Sequence, residues 1–163
     1  MKYAVVFPGQ GAQEVGMGKD FFDHYAASRA VFERSDDALG FSLSRIIFSG
    51  PDDELKKTEY AQPAILAMSM AVFRCLEEEK GVGFSPEFVA GHSLGEYSAL
   101  VAAGVLSFAD ALRLVRLRGQ LMGQADETAP GGMAAILALD AATVDAICAE
   151  VRALTGGVVQ VAN

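Results

Sequence analysis

The sequence predicts an α/β protein built around a parallel sheet. Two short apolar runs of strand composition, Tyr3–Phe7 and Glu87–Ala90, are each followed by a glycine-bearing turn. The residues after each turn carry helical spacing. Strands that alternate with helices lie side by side in one direction, because each helix carries the chain back across the sheet. Finally, 52% of the 163 residues are apolar and 21% are charged. That balance supports a core, excludes disorder for most of the chain, and lets roughly 70% of the unfolded surface be buried.

Taken in order, Tyr3–Phe7 reads as a buried strand and Pro8–Gly18, with its glycines and glutamines, as a loop. Asp20–Leu39 carries helical spacing at Phe21, Phe22 and Tyr25, then at Val31, Phe32, Ser35 and Leu39, and reads as two helices stopped by Gly40. Pro51-Asp52-Asp53-Glu54 reads as a helix first turn, with proline where its missing N–H costs nothing and acids at the positive end. Gln62–Lys80 is a long helix, apolar almost all round as far as Arg74 and so expected to be buried.

After the second strand, Gly91–Gly95 is a tight turn and Glu96–Ala103 a helix closed by Gly104. Ser107 caps a third long helix, Phe108 to about Gln124, with an apolar stripe of Phe108, Leu112, Val115 and Leu121. Asp126–Gly132 then reads as a linker. Met133–Leu139 is expected as a strand and Thr143–Leu154 as an amphipathic helix with Val144, Ile147, Cys148, Val151 and Leu154 on one face. Gly156-Gly157 stops it before a last strand, Val158–Val161. This tail reads as one βαβ unit opening a second, smaller domain.

Composition narrows the function. Thirteen Lys and Arg against 21 Asp and Glu leave a net charge of −8 with no basic block, which argues against nucleic acid or an anionic membrane surface as partner. Apolar runs such as Ala99–Leu106 are far short of the ~20 residues a bilayer span requires. Pro8 and Gly9 interrupt the first apolar run before it can serve as a signal-peptide core. Cys75 and Cys148 lie far apart in apolar helical patterns and read as buried, reduced thiols of a cytoplasmic protein. With His24 and His92 the only histidines, no cluster has metal-ligand spacing.

The sharpest chemical signal is Gly91-His92-Ser93-Leu94-Gly95, a G-x-S-x-G between an expected strand and an expected helix. In that setting it is a nucleophile elbow: a cramped turn lifts the Ser93 hydroxyl and places it at a helix N-terminus, where N–H groups and the helix dipole favour developing negative charge. The competing reading is a serine that merely caps the helix, with the glycines forming the turn. Phe7-Pro8-Gly9-Gln10-Gly11-Ala12-Gln13 follows the first strand directly. Loops at strand carboxyl ends form the site of an open α/β sheet, so the N–H groups of Gln10 and Leu94 are expected to converge on one oxyanion. Taken alone, this loop reads as a glycine-rich turn with its glutamines in solvent, since it has no G-x-G-x-x-G and no lysine to hold phosphate. In Arg116-Leu117-Arg118-Gly119 a helical glycine permits close packing, yet the pattern does not choose between the two arginines, and a solvated helix arginine is the commoner case.

Those segments, the elbow continued through Glu96-Tyr97-Ser98-Ala99-Leu100, together with Ala61-Gln62-Pro63-Ala64 and Gly132-Met133-Ala134-Ala135-Ile136, occur in the order seen in malonyl-CoA:acyl carrier protein transacylases. The chain resembles the N-terminal half of that family along its whole length. The resemblance implies an α/β-hydrolase-like large domain over residues 1–127 and the start of a ferredoxin-like small domain over 128–163. It implies that Ser93 is the nucleophile, that Gln10 and Leu94 supply the oxyanion-hole N–H groups, and that Arg118 holds the malonyl carboxylate through a two-pronged ion pair. Gln62, His92 and Met122 would line the pocket. Malonyl would pass from coenzyme A to Ser93, then to the phosphopantetheine thiol of acyl carrier protein, in fatty-acid biosynthesis. A serine ester lies close in energy to a thioester, so no metal or redox cofactor is expected.

The family's base histidine, and the glutamine that orients it, have no counterpart in residues 1–163. His24 reads as a surface histidine, and the side chains of His92 and Ser93 should diverge at the elbow. The missing C-terminal half is therefore an expected partner, as an extension or a separate chain, and residues 1–163 alone are expected neither to fold stably nor to transfer malonyl. The alternatives are the acyltransferase module of a polyketide synthase, a binding subunit left catalytically silent without the base, and a generic serine esterase, which Arg118 and the glutamine loop disfavour.

Overall fold

The computed structural model describes residues 2–81, 84–128 and 131–162. Contacts divide the chain into two units, Met1–Pro130 and Gly131–Asn163. The first holds β1 (Ala4–Phe7), α1 (Lys19–His24), α2 (Ala26–Leu39), α3 (Leu43–Ser49), α4 (Asp52–Lys56), α5 (Thr58–Lys80), β2 (Phe88–Gly91), α6 (Leu94–Ala102) and α7 (Phe108–Thr128). Among the described residues no helix is long and apolar enough to cross a membrane.

β1 and β2 pair in parallel, in register from Ala4 opposite Phe88 to Phe7 opposite Gly91. The expected parallel sheet is thus present, with α1 to α5 inside the crossover. The strands are not buried on both sides, however. Side chains alternate across a strand: Val5, Phe7 and Val89 join the core, whereas Val6 and Phe88 are 77% and 71% exposed.

α5 is the central helix. Ala61 to Ala67 are buried in unbroken succession, as the all-round apolar pattern predicts, and α2 and α7 pack along it. It begins at Thr58, one turn before the expected Gln62. Pro63 therefore lies inside the helix, where the N–H it lacks would have reached the Glu59 carbonyl. Beside it, the fully buried Phe32 ring meets Phe48 at 4.9 Å and Phe22 at 6.1 Å between centroids. Phe32→Ala is expected to cost about 3–5 kcal/mol. The check is a lower denaturant midpoint with an unchanged slope.

Tyr25, extended at φ −119°, separates α1 from α2, and Gly40 at φ 73° ends α2, so the two-helix reading of Asp20–Leu39 holds. α3 has no counterpart in the sequence reading. Its cap comes from α2: the Asp36 carboxylate accepts from the Ser44 N–H at 2.8 Å and from Ser44 Oγ at 2.6 Å. Ser42, the local cap position, makes no such bond to the helix backbone.

α7 starts on Ser107 Oγ, which accepts from the Asp110 N–H at 3.2 Å. It runs to Thr128, so the expected linker from Asp126 opens as helix. Its buried stripe is Ala111, Leu112, Val115 and Gly119, while Leu121 is 55% exposed. Leu121 lies six residues past Val115, ~240° round the helix at ~100° per residue, and so leaves the stripe.

In the second unit α8 (Ala141–Thr155) is capped by Asp140, which accepts from the Thr143 N–H at 2.9 Å and from Thr143 Oγ1 at 2.7 Å. The Thr143 hydroxyl first, then the amide, holds the Asp140 carboxyl below the usual carboxylate range. Gly156 at φ 69° ends the helix. The flanking strands are not formed: neither 133–139 nor 158–161 is part of a sheet, so there is no βαβ unit among the described residues. Strand composition is a preference for a pleated, half-buried surface, and without a paired neighbour it produces no strand. On the expected apolar face of α8 Cys148 is buried, but Ile147 and Leu154 are exposed. Cys75 and Cys148 are both free thiols, and burial pushes the Cys75 thiol up.

Candidate active site

β2 ends at Gly91 and α6 begins at Leu94, so His92 and Ser93 alone must reverse the chain. Ser93 does so at φ 53° and ψ −104°. Such a conformation costs a side-chain-bearing residue on the order of 1–3 kcal/mol and persists only where its surroundings enforce it. Here backbone does the enforcing. A Cβ at position 91 would lie 2.0 Å from the Gly95 carbonyl, and one at position 95 would lie 2.3 Å from the Phe7 oxygen. The His92 N–H bonds the Phe7 carbonyl at 3.3 Å, and the Gly95 N–H closes back on the His92 carbonyl at 2.8 Å. The elbow is formed as the G-x-S-x-G pattern predicts.

The turn also sorts the N–H groups at the start of α6. Those of Gly95 and Glu96 bond the carbonyls of His92 and Ser93. The Leu94 N–H makes no such bond among the described residues, and its side chain is fully buried, which anchors the first turn. The loop after β1 reaches the same place: a Cβ at Gly9 would meet the His92 oxygen at 2.8 Å and Nδ1 at 3.0 Å. Gln10 therefore follows a residue that touches the elbow. Its side chain turns to α5, where Nε2 donates to Thr58 Oγ1 at 3.1 Å. Gln13 steadies the loop by accepting from the Gly11 N–H at 2.8 Å.

The structure separates the two arginines. Arg116 stacks over Phe41 at 4.2 Å and Tyr60 at 5.5 Å. Arg118 reaches Ser93, with Nη2 donating to Ser93 Oγ at 3.2 Å and Nη1 donating to Gln62 Oε1 at 2.7 Å. Gln62 is fully buried, and its Nε2 donates to Met122 Sδ at 3.4 Å. Met122 lies four residues after Arg118 on α7 and shares its face. Ser93, Arg118, Gln62 and Met122 thus form one connected set. Among the described residues the Arg118 donors meet only neutral acceptors, so the guanidinium brings an uncompensated positive charge to the hydroxyl. An arrangement of this kind suits an acyl group with a second, anionic end.

His92 sits beside Gly9 and is exposed, and His24 lies on α1 with Nδ1 2.8 Å from the Asp20 carbonyl oxygen. Two residues escaped the sequence reading. Tyr97 places its ring 5.8 Å from the Arg118 guanidinium carbon. It stands in the first turns of α6, directly after the elbow. Thr58 has no sequence signal, since it depends on where α5 begins.

The sequence pattern of the acyl transferase domain family matches residues 4–160. The chain is 48% identical over 162 residues to the malonyl CoA-acyl carrier protein transacylase of Bacillus subtilis strain 168, covering 99% of this chain and 50% of that protein. Among solved structures, an acyl-carrier-protein S-malonyltransferase from Bartonella henselae superposes with a TM-score of 0.86 at 45% identity, over 100% of this chain and 52% of that one. A malonyl-transacylase solved in complex with a type II PKS acyl-carrier protein gives 0.84 at 45% identity, over 97% of this chain and 50% of that one. The chain spans about half the length of the curated relatives it matches. The helical α/β architecture with its small parallel sheet is that of these acyltransferases, and the chain belongs to the acyl transferase domain family.

Proposed function

We propose that this chain carries the nucleophile and the carboxylate-binding arginine of a malonyl transferase, which moves malonyl from coenzyme A to the phosphopantetheine thiol of acyl carrier protein in fatty-acid biosynthesis. The observation that carries this reading is the 3.2 Å contact between Arg118 Nη2 and Ser93 Oγ. A malonyl ester on Ser93 has a carboxylate on its far end, and the guanidinium beside the hydroxyl is the group that pairs with it. Ser93 Oγ attacks the thioester carbonyl and loses its proton to a base. The N–H groups of Gln10 and Leu94 hold the resulting oxyanion, and the C–S bond breaks as the thiol of coenzyme A leaves with a proton. The carrier thiol then runs the same steps in reverse order. Gln62 and Met122 orient Arg118, and His92 lines the entrance.

In this reading the base and the carrier's docking surface come from a C-terminal half like that of the full-length relatives. Residues 1–127 belong to an α/β-hydrolase-like large domain and 128–163 open a ferredoxin-like small one. Coenzyme A and phosphopantetheine enter as substrates, in the cytoplasm, with no resident cofactor. The support is the elbow geometry, the relatives' names and the match along the chain.

The test is capture of the intermediate. The full-length protein, mixed with labelled malonyl-CoA and quenched in acid, should carry label on the peptide containing Ser93, and Ser93→Ala should carry none. Label on another residue, or on none, overturns the reading. Robust malonyl transfer by residues 1–163 alone would refute the need for a second half.

A further inference from the structure

We infer that Thr58 is a positioning residue that sets the spacing between the oxyanion loop and the arginine that receives the substrate carboxylate; this rests on the transferase reading above. Thr58 opens α5 and touches both parts of the site. Its hydroxyl accepts from Gln10 Nε2 at 3.1 Å, on the loop whose Gly9 packs against His92 of the elbow. Its carbonyl lies against Gly119, the residue after Arg118: a Cβ at 119 would be 2.6 Å from the Thr58 oxygen and 2.7 Å from the Glu59 Cα. The neighbouring contacts tie the same two segments together. Gln120 Nε2 approaches Glu59 Oε2 at 3.5 Å, and Arg116 covers Tyr60. The start of α5 is thus a junction, with the Arg118 segment of α7 against its backbone and the Gln10 loop tied to the Thr58 side chain.

A malonyl group is recognised at two points, the reacting carbonyl and the carboxylate, separated by a single methylene. The donors for these two points must hold a matching separation. The two halves of the junction differ in what they depend on. The α7 contact is made to Thr58 backbone and survives a change of side chain, so Arg118 keeps its place on Gln62. The Gln10 tie is made to the hydroxyl alone. Removing the hydroxyl therefore loosens the oxyanion donor and leaves the carboxylate site intact. An oxyanion donor acts when charge develops in the transition state, so its loss appears in kcat rather than in substrate binding.

The experiment uses the full-length protein with Thr58→Val, which keeps the branched shape, and Thr58→Ser, which keeps the hydroxyl. Thr58→Val should lower kcat for malonyl transfer about tenfold to a hundredfold, the scale of small misplacements at a reacting centre. KM for malonyl-CoA and the denaturant midpoint should stay at the unsubstituted values, and Thr58→Ser should recover most of the lost rate. Unchanged kcat in Thr58→Val overturns the role. So does a rise in KM with kcat preserved, a lowered midpoint, or a failure of Thr58→Ser to recover activity. Absence of malonyl on Ser93 in the unsubstituted protein overturns the transferase reading and this role together; normal capture there, with no effect of Thr58→Val, overturns this role alone.

Discussion

Arg118→Ala is expected to abolish the preference for malonyl, lowering kcat/KM for malonyl transfer by about 10⁴-fold, the scale on which sites built around an obligatory polar contact discriminate. Acetyl transfer should fall far less, because acetyl has no carboxylate to lose a partner and no longer leaves a guanidinium unpaired. Arg118→Lys should recover only part of the malonyl rate, since an ammonium is a point charge without the planar fork that grips both carboxylate oxygens. The same substitution has a structural cost. Gln62 is fully buried and its Oε1 accepts from Arg118 at 2.7 Å, so truncation orphans that oxygen at about 1–3 kcal/mol. Arg118→Ala combined with Gln62→Leu removes the orphan, and should regain stability without regaining malonyl transfer. Parallel malonyl and acetyl kinetics with denaturant unfolding on all three variants separate recognition from folding. Equal losses on both acyl groups would show that Arg118 does not read the carboxylate.

Gly95→Ala is expected to prevent the elbow from closing. The added methyl would sit 2.3 Å from the Phe7 oxygen and 2.9 Å from both the Phe7 carbon and the Pro8 oxygen, all backbone atoms at the end of β1. None can rotate away, so relief requires β1 to move off the turn and break the His92 to Phe7 bond. The cost should reach the far end of single-substitution effects, about 4–5 kcal/mol, with Ser93 no longer captured by malonyl-CoA. Gly123→Ala is the matched control. It lies in α7 with nothing within 4 Å of its added Cβ, and should be neutral or stabilising by up to about 1 kcal/mol. A Gly95→Ala protein with the midpoint and Ser93 reactivity of the unsubstituted one would show that the turn does not need this glycine.

Much of the site was readable along the chain because its constraints are local. Gly91 and Gly95 are where the turn admits no Cβ, and their spacing around Ser93 shows in the letters themselves. Ser107 announced α7 because its hydroxyl bonds an N–H three residues on. Cys75, inside an apolar helical pattern, read as a buried thiol and is one. What failed to read depended on distant segments. α3 is capped by Asp36 from the preceding helix rather than by its own Ser42. The runs 133–139 and 158–161 have strand composition, but a strand exists only with a neighbour to bond.

Chain order alone determined the tight strand-to-helix turn at Ser93, the parallel pair of strands and the long buried helix, since each follows from sterics or periodicity within a few residues. Only the folded arrangement decided that Arg118 rather than Arg116 meets Ser93. Both arginines lie on one helix, two residues apart and therefore ~200° round its axis, so the neighbours on each side settle the matter. Aromatic rings of Phe41 and Tyr60 take Arg116, while the buried amide of Gln62 draws Arg118 to the hydroxyl.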